Sequence, residues 1–143
     1  MTLVRSVVVL AVAAATLTAC GDDTGAGTSA WTEPTRYTYV LDSQCGERLL
    51  IGKFRVTVAD GAVTDVEGLD ESAKRATESP AIKTETPTLG QLVRRVAEAR
   101  AKDAHKARVE FDKTDGHPTF AEIDHEKNAI DDEECYTVSD YQT

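Results

Sequence analysis

The stretch KFRVTVADGAVTDV, residues 53–66, decides the fold. Phe54, Val56 and Val58 alternate with Lys53, Arg55 and Thr57, the period-two pattern of a strand with one buried face. Asp60-Gly61 follows, the favoured two-residue hairpin turn because both positions must accept a positive φ. Ala62 to Val66 is the return strand. Two-residue geometry pairs Val58 with Val63 and then sets Asp65 opposite Val56, so this strand is expected to be short or to lie at a sheet edge.

Working outward, RYTYVLD (36–42) alternates Tyr37, Tyr39 and Leu41 against Thr38, Val40 and Asp42 and reads as a preceding strand. Residues 67–87 carry Glu, Ser, Thr and Pro with little periodicity and read as a long loop with one helical turn around Glu71 to Ala76. Thr88 with Gln91 forms a capping box, and Leu89, Leu92, Val93, Val96 and Ala97 make the apolar stripe of a helix running to about Lys102, with Arg94, Arg95 and Glu98 facing water. Three strands are expected after it: Ala107 to Asp112 with Val109 and Phe111 inward, Thr119 to Asp124 with Ala121 and Ile123 inward, and Cys135 to Tyr141 with Tyr136 and Val138 inward. The fold class is α+β, ordered β-β-β-α-β-β-β. A single antiparallel sheet of five to six strands is expected, with one amphipathic helix packed on one face.

The chain has 143 residues, 16 Lys+Arg against 25 Asp+Glu, and a net charge of -9. An acidic surface repels phosphates and releases no counterions, which argues against a nucleic-acid partner. With 41% apolar and 29% charged residues the chain can bury a core, and its length suits one domain.

Residues 1–19 read as an export signal: Arg5, an uncharged run from Ser6 to Ala19 too short to span a bilayer, then small residues. Leu17-Thr18-Ala19-Cys20 has the layout of a bacterial lipobox, whose Cys is lipidated and becomes the new N-terminus. A diacylglyceryl thioether holds a protein stably on a membrane where one chain would not. Residues 20–30 then form a Gly/Ser/Thr-rich flexible tether from Cys20, and residues 31–143 a single domain. The membrane-anchored, extracytoplasmic location follows from this reading. Cys45 and Cys135 are left in an oxidising compartment, where a disulfide between them is the natural inference and two separate buried thiols the alternative. Closing a loop of that length is worth about 4 to 5 kcal/mol by chain entropy. There is no CxxC motif of a redox catalyst.

The succession Trp31, Tyr37-x-Tyr39, Cys45-Gly46-Glu47-Arg48, Val56-x-Val58-x-Asp60-Gly61-x-Val63, Pro87-Thr88-Leu89, Phe111-Asp112, Asp115-Gly116-His117-Pro118, Ile123-Asp124 and Asp131-Asp132-Glu133 before Tyr136 resembles a family of small exported lipoproteins. That family is common in actinobacteria and is catalogued as a domain of unknown function. The likeness spans nearly all of residues 31–141. It implies the fold and the location, and carries over no activity and no functional residue.

The most suggestive chemical stretch is DHEKNAIDDEE, residues 124–134. Counted as a calcium loop it sets Asp124, Glu126 and Asn128 at positions for oxygen ligands, but Ala129 stands where the turn needs Gly and Cys135 where a bidentate Glu belongs. A looser Ca²⁺ site drawing on Asp112, Asp115, Asp124, Asp131, Asp132 or Glu133 is the weaker expectation, against a solvated acidic edge that discourages strand-to-strand aggregation. GERLLIGK (46–53) is a near-miss of a phosphate-binding loop with Phe54 in place of Ser or Thr. His105, His117 and His125 lack metal-ligand spacing and read as exposed turn or edge residues. No cofactor is expected. The functional expectation is a non-catalytic binding domain for an envelope component, not an enzyme; the alternative is a Ca²⁺-dependent sensor or carboxylate-based enzyme built on residues 124–134.

Overall fold

The computed structural model describes residues 31–143 of the chain; the expected signal, the lipidated Cys20 and the tether lie outside the described residues. The elements are β1 (Arg36–Ser43), β2 (Gly52–Ala59), β3 (Ala62–Gly68), α1 (Glu71–Ala76), α2 (Ile82–Glu85), α3 (Leu89–Ala101), β4 (Lys106–Phe111), β5 (Pro118–Asp124) and β6 (Glu134–Gln142). The strands form one open antiparallel sheet of six in the order β3-β2-β1-β6-β5-β4. Each half of the sequence supplies a three-strand meander, and the first and last strands join the halves at the centre. β3 and β4 are therefore opposite edges, and the chain between them has to cross the sheet. It does so as the helices, with α1 against β2 and β3, α2 against β3, and α3 against β4 and β5.

Most residues read as inward are buried, but Val40, read as outward, is buried too, and Val109 and Phe111, read as inward, are only half-buried. Tyr37, Tyr39, Leu41, Phe54, Val56, Val58, Ala121, Ile123, Tyr136 and Val138 are all buried and join Leu89, Leu92 and Val96 of α3 in one core. The hairpin turn has φ of 53° at Asp60 and 76° at Gly61, the left-handed pair for which Asp-Gly is chosen. The Thr88 capping box is present, with Thr88 Oγ1 accepting from Gln91 N at 3.2 Å and Thr88 N donating to Gln91 Oε1 at 2.8 Å.

Four expectations are corrected. The sheet carries three helical segments, not one: the helical turn expected at Glu71 to Ala76 is present as α1, and a short α2 that the sequence reading did not expect follows it. Asp70 caps α1, accepting from Ala73 N at 2.7 Å and from Lys53 N at 2.9 Å, which ties the helix to β2. A register shift between Thr57 and Val58 moves Asp65 opposite Thr57 and sets Val66 against Val56, so β3 keeps its apolar face for seven residues although it is an edge. The buried stripe of α3 is Leu89, Leu92, Val96 and Ala99, while Ala97 is exposed. Arg95 does not simply face water: its guanidinium lies 3.9 Å from Glu134 Oε2.

Candidate functional site

β1 runs from Arg36, beside the point where Trp31 leads into the domain, to Ser43 at the far end, about 25 Å away at the usual strand rise. The residues with chemistry gather at these two ends of the sheet.

At the Trp31 end, a shift in the β1–β6 register between Thr38 and Val40 inserts Asp140, with φ 49°, as an extra residue in β6. Strict alternation after Tyr136 and Val138 would send Tyr141 to the outer face; the bulge returns it to the helical face. There its ring lies 5.7 Å from Tyr37 and 6.5 Å edge-on from Trp31, and stacks on His117 at 4.3 Å. Tyr37 Oη donates to Glu33 Oε1 at 2.6 Å and accepts from Leu89 N at 2.9 Å, while Gly90 N donates to the same Glu33 oxygen at 3.1 Å. Two amides that the first turn of α3 leaves without helical partners are thus satisfied from outside the helix. Tyr39 Oη donates to Pro87 O. Burial, above all, pushes the phenols of Tyr37, Tyr39 and Tyr141 upward.

The β4–β5 turn belongs to this end. Asp112 Oδ1 accepts from Thr114 N at 2.7 Å and Asp115 N at 3.3 Å, which lowers the Asp112 carboxyl from its usual range. Asp115 Oδ1 accepts from His117 N at 3.1 Å and stands 2.5 Å from His117 Nδ1; the side-chain contact is the larger cause of its lowered pKa. An ionised carboxylate only accepts, so the proton of this pair sits on Nδ1. Ligand atoms of Asp112, Asp115 and His117 lie within 4.8 Å of one another. His117 is not the exposed turn residue expected, since its side chain is only 13% exposed under the Tyr141 ring.

At the far end, the antiparallel pairing of Ser43 with Tyr136 brings Cys45, just past the end of β1, beside Cys135, near the start of β6. Cys45 and Cys135 form the expected disulfide, with Cα atoms 5.5 Å apart across 90 positions of sequence. Arg48 is the hub of this end. Its Nη2 donates to Cys45 O at 2.6 Å and Glu133 O at 2.7 Å, its Nη1 donates to Tyr136 Oη at 3.2 Å and lies 3.2 Å from Glu134 Oε2, and its guanidinium stands 5.2 Å from the Tyr136 ring centre. Tyr136 Oη donates to Glu134 Oε2 at 2.8 Å, and burial followed by that carboxylate pushes the phenol upward. Gly46 has φ 78°, and a Cβ there would run into Glu133 O, so the crossing of the two loops depends on glycine.

The acidic segment does not fold into one ligand set. Among the described residues, the cluster of three or more metal-type side chains is the Asp112, Asp115 and His117 group, and Asp124, Asp131, Asp132 and Glu133 are not in it. Asp124 is buried near His105 Nε2 at 3.9 Å, Asp132 Oδ2 accepts from Glu126 N at 2.9 Å, and Glu133 offers its backbone carbonyl to Arg48. β5 ends at Asp124 and its neighbour β6 begins at Glu134, so these carboxylates are spread along the loop between the two strands. Asp112 and Asp115, named among the looser Ca²⁺ candidates, are brought together, but sequence reading missed Arg48, set aside with the false phosphate loop, and the place of His117 beside them; the turn through Gly116 was the available signal.

No curated protein and no solved structure matches the chain. The model of the family of unknown function DUF6174 matches residues 28–143, all of the sheet and its helices. The chain belongs to that family, DUF6174.

Proposed function

We propose that the protein is a lipid-anchored, extracytoplasmic lipoprotein whose domain binds another envelope component without catalysing a reaction. On this reading it is one of the small exported lipoproteins of actinobacteria. The observation that carries it is Leu17-Thr18-Ala19-Cys20 at the end of a short uncharged run that begins after Arg5. The disulfide between Cys45 and Cys135 supports it, because such bonds persist in oxidising compartments and are rare in the cytosol. The test is Cys20→Ala in the full chain. Labelled palmitate incorporation and membrane fractionation should both be lost, and retention of both would sink the reading.

A second reading, a metal-responsive module, draws on the Asp112, Asp115 and His117 group instead of residues 124–134. Each of these carboxylates already accepts turn amides or the His117 ring, which is sufficient to account for the arrangement as a closed turn. Thermal melts in EDTA and across Ca²⁺ and Zn²⁺ titrations separate the two readings. A saturable rise in Tm that Asp115→Asn abolishes would favour the metal.

A further inference from the structure

We infer that the disulfide end of the sheet is the docking surface of this domain, and that its partner is a protein presenting lysine or arginine side chains around an apolar pocket. This rests on the binding-lipoprotein reading and names the partner chemistry for it. Among the described residues the exposed large apolar side chains are Ile130, 86% exposed, and Leu49, 37% exposed. Leu49 lies on the β1–β2 loop that carries Cys45, and Ile130 on the β5–β6 loop, five residues before Cys135. Isolated surface apolar residues are ordinary, but here they coincide with other departures from a locally relaxed surface. Asp132 Oδ1 and Arg48 Nε are buried atoms with no hydrogen-bond partner. A loop that exposes isoleucine and leaves buried polar atoms without partners gains nothing from these features within the chain.

Charge names the partner. Ile130 is followed by Asp131, Asp132 and Glu133, with Glu126 four residues before it, while the basic residues of the 125–133 loop are His125 and Lys127. An apolar knob inside an acidic rim matches a basic rim around an apolar pocket, and is repelled by anionic lipid and by nucleic acid. The loops are also preorganised: the disulfide and the bonds of Arg48 to Cys45 O and Glu133 O fix them before any encounter, which reduces the ordering cost of binding. Placement agrees. The lipid attaches ahead of Trp31, and β1 carries the chain to the opposite end of the sheet, so this surface is the one farthest along the domain from the anchor.

The test places a photocrosslinking amino acid at position 130, at position 49, or at Lys113 on the opposite end, in the full chain inside cells that naturally carry it. One discrete, protease-sensitive adduct should arise from 130 and 49 and not from 113. It should fall at least tenfold when Asp131→Asn, Asp132→Asn and Glu133→Gln are combined, and the crosslinked peptide should carry Lys or Arg beside apolar residues. Asn keeps the Asp132 acceptor and tolerates the left-handed backbone at 131. Should that triple variant melt early, Leu49→Ser with the crosslinker at 130 takes its place, with at least a fivefold loss expected. No adduct at 130, equal adducts at 113, an adduct indifferent to these substitutions, or one made with lipid or with a second copy of this chain would each overturn the inference. The anchor reading is scored separately in the same cells, because its failure shows as unchanged membrane fractionation of Cys20→Ala whatever position 130 does.

Discussion

The two ends of the sheet solve the problem of closing an open sheet in different ways. At the Trp31 end the closure is non-covalent. Three tyrosines, a tryptophan and a histidine pack together, and Glu33 and Tyr37 satisfy the first amides of α3. At the other end a disulfide and one arginine hold two loops beside the last strand, yet isoleucine is left exposed at the surface and two buried polar atoms beneath it lack partners. The difference teaches where stability is spent on the fold alone and where the surface is left poised for something else: the first end gains from every group it presents, the second is rigid without being self-contained.

That contrast can be broken most forcefully at the disulfide. Cys45→Ser with Cys135→Ser should cost about 4 kcal/mol by loop entropy and lower Tm by more than about 10 °C. Denaturant melts with and without reductant measure it, and an unchanged midpoint would show that the far end is held by Arg48 alone. Alkaline pH attacks both ends together, since all four tyrosines of the chain have phenols pushed upward by burial. The folded state therefore holds its phenol protons more tightly than the unfolded chain. The stabilisation is complete below the ordinary phenol value of about 10 and is lost as pH rises above it. Phenolate absorbance should stay flat through that value and then appear in one step with unfolding; gradual titration in a folded protein would contradict the burial.

Smaller effects sharpen the comparison. Arg48→Lys keeps the charge but not the planar fork that reaches Cys45 O and Glu133 O together, and should cost about 2 kcal/mol in a chemical melt. Tyr37→Phe leaves Leu89 N without its acceptor and Glu33 without its phenolic donor, for a loss of about 1 to 2 kcal/mol. Ile130→Ser should change stability by less than about 0.5 kcal/mol, because an exposed side chain has little buried area to lose. A large loss there would mean that Ile130 packs against its own domain, and the contrast between the ends would fail.

Much of the fold was legible in the sequence because the signals are local. Tyr37, Tyr39 and Leu41 alternate, Asp60-Gly61 supplies two positive φ angles, and Thr88 with Gln91 closes a capping box, each within a few residues of chain. The site was less legible. The disulfide was inferred by counting cysteines, but the scatter of Asp124, Asp131, Asp132 and Glu133 was hidden, as was the stacking of His117 on Tyr141. Acidic residues close in sequence resemble a ligand set on paper; whether their oxygens converge depends on where β5 stops and what pulls β6 into place.

The sequence by itself determined the strands, the hairpin turn and the capped helix, because periodicity and backbone preference act before any long-range contact forms. Only the tertiary structure decided that β1 and β6 meet at the centre, that bulges turn Val66 and Tyr141 to the buried face, and that Arg48 ties both stapled loops. Those outcomes depend on filling one face of a six-stranded sheet with three crossing helices. A one-residue slip of register exchanges the two faces of a strand, and the choice between registers is made by the packing of the whole core and not by the strand's own residues.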